Sequence, residues 1–106
     1  MAAGTTADAT AACEAAAGAQ AAWAATAPRE RGEILRRTWQ LMVDHTEELA
    51  RLITLEHGKP LADARGEVAY AAEFFRWNSE EAVRIHGSLG MAPAGANRIV
   101  VHHPPI

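Results

Sequence analysis

The chain has 106 residues and a mass of 11.3 kDa, room for one small domain at most. Its hydrophobic share is 49%, but 25 of those residues are alanine, which leaves enough large side chains for a modest helical core and too few for a large enzyme domain. Ten Lys and Arg against 13 Asp and Glu give a net charge of -3, which argues against a nucleic-acid binder with a basic surplus on one face.

Composition changes sharply near Pro28. Residues 1–27 hold 15 of the 25 alanines, and Trp23 is their only large apolar residue beyond Met1. Alanine is the best helix former, so a helix is predicted from about Asp8 to Ala25, capped by Asp8 and weakened in its middle by Gly18. The tail before Asp8 is expected to fray. Trp23 and the downstream sequence predict that this helix docks.

Pro28 suits the first turn of a second helix, where its missing amide costs nothing. Ile34, Leu35, Thr38, Leu41, Met42 and His45 recur at three- and four-residue spacing and make one apolar stripe, widened by Trp39. The pattern hesitates at Asp44–Thr46, where Asp44 and Glu47 resemble a capping box. A break and a short third helix through Leu49, Leu52, Ile53 and Glu56 follow. Gly58 is predicted to end it in the left-handed region.

Lys59-Pro60 restarts the chain. A long amphipathic helix is predicted from about Leu61 to His86, ended by Gly87. Val68, Ala71, Ala72, Phe75, Ala82 and Val83 lie on one side, widened by Tyr70, Phe74, Trp77 and Ile85. Asp63, Glu67, Glu73, Glu80, Glu81 and Arg84 decorate the wetter side. Gly66 inside the pattern suggests a close helix contact. Residues 87–97 hold three glycines and Pro93 and read as a loop. Asn97–His103 reads as a strand with a β-branched centre, stopped by Pro104 and Pro105. A lone strand is not a stable element. Residues 98–103 are therefore expected to pair with a sheet that is missing or lies on another molecule. The fold class is mostly α: three to four helices plus one C-terminal strand.

Candidate chemistry is sparse. The single cysteine excludes an internal disulfide framework and most zinc sites. Cys13 sits in an alanine helix with no nearby basic group to activate it, and reads as a small buried residue. His102 and His103 are adjacent on a strand and point to opposite faces, a poor arrangement for one metal ion. His45, His57 and His86 fall at helix ends or breaks, where they can meet the last carbonyls. Gly58-Lys59-Pro60 lacks the spacing of a phosphate loop. Glu67, Glu80 and Glu81 read as a solvated helix face. Tyr70, Phe74, Phe75 and Trp77 read as helical core, or as the wall of a hydrophobic channel if a partner domain closes over them. No catalytic, cofactor-binding or metal residue is assigned. No apolar run approaches the length of a membrane span, and the start lacks the pattern of a signal peptide, so a reducing cytoplasmic setting is expected.

Several segments together carry a family resemblance. Residues Pro28-Arg29-Glu30-Arg31-Gly32-Glu33-Ile34-Leu35-Arg36-Arg37 resemble the "RERAEILRR" helix of aldehyde dehydrogenases. Leu55 to Val68 is similar to their "LEQGKPLAEARGEV" segment. Phe74 to Ala82, with Arg84-Ile85-His86-Gly87, is similar to "FFxWFAEEAxRIYG", most typical of the succinate-semialdehyde dehydrogenase branch. Residues 98–106 resemble the strand just before the family's Pro-Trp-Asn-Phe-Pro motif. The departures are small: Gly32 takes a usual alanine position, His57 a usual glutamine or threonine, Asn78 a usual aromatic and Ser79 a usual alanine.

The resemblance implies an N-terminal fragment, residues 1–106, of the α/β aldehyde dehydrogenase fold. The full enzyme would use NAD or NADP to oxidise an aldehyde, with succinate semialdehyde a candidate, to the carboxylic acid. In the family a cysteine attacks the aldehyde, hydride leaves to the nicotinamide, and a glutamate activates the water that releases the product. None of those groups maps onto this chain, so the fragment alone is expected to be inactive and to bind no cofactor. The implied partners are the remainder of the enzyme and the other subunits of a homo-oligomer. The resemblance also places the helix around Asp63–Trp77 beside the substrate tunnel, and residues 98–103 in the sheet of subunit association. Trp39, Leu41, Phe74 and Phe75 are expected to expose more apolar surface than a complete domain tolerates. A non-catalytic helical module that binds a full-length subunit or another partner is the alternative, and a decaying gene a third reading.

Overall fold

In the computed structural model the described residues, 3–103, form four helices followed by a hairpin: α1 (Thr6–Ala25), α2 (Pro28–Asp44), α3 (Thr46–His57), α4 (Leu61–Glu81), β1 (Ser88–Met91) and β2 (Arg98–Val101). Pro104 and Pro105, expected to stop the strand, lie outside the described residues.

α1 starts two residues before the predicted point and does not fray at Thr6. Thr5 is the N-cap: its hydroxyl accepts from the Asp8 amide, and the Asp8 carboxylate accepts from the Thr5 amide at 2.7 Å. This reciprocal pair is a capping box with Asp8 at its third helical position, not at the cap itself. The expected docking is not seen. No residue of α1 is buried, and Trp23 stays 39% exposed, because a helix of alanines has little apolar side chain to bury.

α2 begins at Pro28 as predicted, and the break falls at His45, where φ is -103°. The capping box expected there does not form: Asp44 is still the last residue of α2, the N-cap of α3 is His45, and both carboxylates bond elsewhere. Asp44 accepts from the Gln40 amide nitrogen at 2.9 Å, and Glu47 accepts from Arg65. The Thr46 hydroxyl instead donates to the carbonyl of Val43 at 2.7 Å. Gly58 ends α3 with φ 72°, the left-handed cap read from the sequence. Pro60 is the N-cap of α4.

α4 is the central helix and packs against both α2 and α3. Its contact flank is made of small residues. Ala64, Val68 and Ala72 are buried along it, and Ala50 of α3 is buried against Ala64 and Val68 with Leu49, Ile53 and Leu61 around them. On α2, Gly32 is buried. Among the described residues no large side chain is fully buried. Small side chains let helix backbones approach closely, and this core relies on that approach more than on bulk.

α4 ends at Glu81, five residues before the predicted His86. The Asn78 amide donates back to the Phe74 carbonyl at 2.8 Å and the Ser79 hydroxyl to the Arg76 carbonyl at 2.6 Å. Such local bonds compete with helical continuation. The Arg84 amide then closes a tight turn onto the Glu81 carbonyl. Gly87, expected to end the helix, lies instead at the base of the hairpin, where a Cβ would run into the Val101 carbonyl.

The largest correction is the orphan strand. β2 pairs antiparallel with β1, a segment read from the sequence as loop, with Leu89 opposite Val100 and Gly90 opposite Ile99. Ala92-Pro93-Ala94-Gly95 makes the turn: the Gly95 amide donates to the Ala92 carbonyl, and Gly95 has φ 73°. Proline in second place and glycine in fourth are standard turn chemistry. Both strands are exposed along their whole length.

The shape is open. The radius of gyration is 19.6 Å, against about 13 Å for a compact domain of this length. The accessible surface is 8334 Å², against about 5,700 Å² for a compact monomer of this mass.

Candidate functional site

α4 carries two apolar flanks. The first, through Ala64, Val68 and Ala72, is spent on α2 and α3. The second carries Tyr70, Phe74 and Trp77, whose spacing of four and three residues places them on one helix face. They remain 69%, 53% and 61% exposed. The sequence reading of these aromatics as helical core is therefore corrected: only Phe75 is half-buried, because the neighbouring helices cover the other flank.

The aromatic face is organised. The Tyr70 and Phe74 rings meet edge to face, with centroids 5.0 Å apart and planes at 88°. That arrangement suits the ring quadrupoles. Tyr70, Glu73, Phe74 and Trp77 line a shallow open groove of about 300 Å³. A second notch of about 260 Å³ lies beside it, between Leu35, Phe74, Phe75 and Asn78. The one carboxylate at the groove is occupied: Glu73 accepts from Arg76 at 2.7 and 2.9 Å, and this bond raises the Arg76 guanidinium above its ordinary range. The surface offers apolar contact and an ion-paired rim. It brings no nucleophile or free base to a reacting atom.

The other sequence candidates are scattered. Cys13 is exposed on α1, not buried as expected. His45 sits in the α2–α3 break with its Nδ1 3.0 Å from the Glu48 carboxylate. His57 is in the last turn of α3 and His86 follows α4. His102 and His103 are exposed beyond β2. Among the described residues no three His, Cys, Asp or Glu side chains gather as a metal site. Gly58-Lys59-Pro60 is a helix joint, and the Lys59 ammonium is paired with Glu67. Glu81 accepts from Arg84 at 2.7 Å. Gly66, expected at a close helix contact, faces open space.

Two features escaped the sequence. One is β1, whose Ser88-Leu89-Gly90-Met91 has no β-branched residue; only the Pro93 and Gly95 turn signal could have exposed it. The other is the clamp between α3 and α4. Arg65 donates from Nε and a terminal nitrogen to the two oxygens of Glu47, at 2.6 and 2.9 Å. This bond holds the Glu47 carboxyl below its ordinary range and raises Arg65. The partners are 18 residues apart in the chain, beyond any local pattern.

The aldehyde dehydrogenase family profile matches residues 1–106. A succinate-semialdehyde dehydrogenase of Paenarthrobacter nicotinovorans is 57% identical over 106 residues, 100% of this chain and 24% of that protein. The NADP(+)-named succinate-semialdehyde dehydrogenase of Escherichia coli (strain K12) is 48% identical over 96 residues, 91% of this chain and 20% of that protein. The crystal structure of succinate-semialdehyde dehydrogenase from Burkholderia pseudomallei superposes with a TM-score of 0.78 at 44% identity, over 89% of this chain and 20% of that one. The chain thus spans about a fifth to a quarter of the length of the relatives it matches.

Proposed function

The chain belongs to the aldehyde dehydrogenase family, and from that premise we propose that it forms the N-terminal helical part of an NAD(P)+-dependent enzyme that oxidises an aldehyde to its carboxylic acid, with succinate semialdehyde the first substrate to test. The observation that carries this reading is the 57% identity, sustained along all 106 residues, to a succinate-semialdehyde dehydrogenase.

In this reading the reacting groups lie outside residues 1–106, which supply no catalytic, cofactor-binding or metal residue. Cys13 is exposed on α1, and what supports this reading is that no basic side chain among the described residues bonds to its thiol to activate it. A bound NAD(P)+ would accept the hydride. The described residues do not fit its pyrophosphate, since the two strands join each other and neither runs through a glycine turn into a helix.

The partners in this reading are the rest of the enzyme and further subunits. Support comes from the excess surface, the bare aromatic face and the exposed hairpin, whose second edges would pair beyond this chain. A cytoplasmic setting belongs to this reading, and among the described residues no helix is long and apolar enough to cross a membrane. The same aromatic face does not separate this reading from the alternative, a non-catalytic helical module that binds a full-length subunit or another partner.

The test is a chimera in which residues 1–106 replace the matching segment of the Paenarthrobacter nicotinovorans enzyme, assayed for NAD+ and NADP+ reduction with succinate semialdehyde. The isolated chain is assayed in parallel. Turnover by the chimera alone is expected. A folded, cofactor-binding chimera that oxidises no aldehyde would sink the enzyme reading and favour the interaction module. Turnover by the isolated chain would overturn the assignment of the reacting groups elsewhere.

A further inference from the structure

We draw no further inference here: the strongest candidate, the exposed aromatic face of α4 formed by Tyr70, Phe74 and Trp77 with the adjoining notch at Leu35 and Asn78, belongs to the site already described, and nothing in the structure shows what else covers it.

Discussion

Gly32 of α2 lies directly against the Ser79 carbonyl of α4, so closely that a Cβ at Gly32 would stand 2.8 Å from that oxygen and 3.5 Å from the Cβ of Ala82. A glycine inside a helix ordinarily costs about 1 kcal/mol relative to alanine. Here that cost is offset by the close approach of two helix backbones. The obstacle is main chain, which cannot swing aside as a flexible side chain would. Gly32→Ala is therefore expected to lower stability by about 1 kcal/mol net, the overpacking penalty exceeding the propensity gain. Chemical denaturation of the purified chain measures it, and an increase in stability would show that α2 and α4 separate freely.

Gly66 is the opposite case on the same α4. Nothing lies within 4 Å of the position its Cβ would take. Only the backbone entropy of glycine acts there, so Gly66→Ala is expected to stabilise by about 0.5–1 kcal/mol. The pair of variants separates packing from propensity within one helix. Equal effects of the two substitutions would contradict the contact at Gly32.

What the sequence made legible follows from how locally each feature is determined. Pro28, Gly58 and Pro60 act within one or two residues of themselves, and the joints they predict are where the structure has them. The end of α4 differs from the pattern because the chain turns at Glu81, where the Arg84 amide bonds the Glu81 carbonyl, before Gly87 is reached. β1 was missed because pairing with β2, and not its own composition, makes it a strand. The aromatic residues read from the sequence as core, whereas Tyr70, Phe74 and Trp77 are exposed. Periodicity shows that a helix has an apolar flank. When Val68 and Tyr70 lie on opposite flanks, it does not show which one a neighbour takes.

Thr54 of α3 has a buried hydroxyl oxygen with no hydrogen-bond partner among the described residues. A buried polar atom left unsatisfied costs about 1–3 kcal/mol, whereas an apolar group of the same shape pays no such penalty. Thr54→Val is expected to raise stability by about 1 kcal/mol in a denaturant titration. A loss would mean that the hydroxyl is satisfied in solution.

The cap of α1 sets an acid limit on that helix. Asp8 is held below the ordinary aspartate range, first by the Thr5 backbone amide and then by the Thr5 hydroxyl. A carboxyl whose folded-state value is depressed stabilises fully above its unfolded value, about 3.9. That contribution is lost as pH falls through the lower folded-state value. The Thr5 and Asp8 amide resonances are expected to shift together below about pH 4, with loss of far-UV helicity. In Asp8→Ala that step disappears, while the acid response of Glu47, held low by Arg65, remains. Unchanged titration in the variant would remove the capping box from the account.

The two flanks of α4 give the sharpest contrast between stability and recognition. Val68 is 3% exposed and sits in the α3–α4 core, so Val68→Ala removes two buried methyl groups and leaves a small cavity. It is expected to cost about 2 kcal/mol. Trp77 is 61% exposed, and its removal leaves little unpacked. Trp77→Ser is expected to change the stability of the isolated chain by less than about 1 kcal/mol. In the chimera the cost of Trp77→Ser grows if the aromatic face meets the rest of the enzyme. Trp77→Ser then lowers thermal stability there by clearly more than in the isolated chain, because the burial it loses exists only in the larger protein. Equal effects of Trp77→Ser in the two settings would mean that this face stays bare in the full enzyme, and the aromatic groove would lose its role as an internal contact.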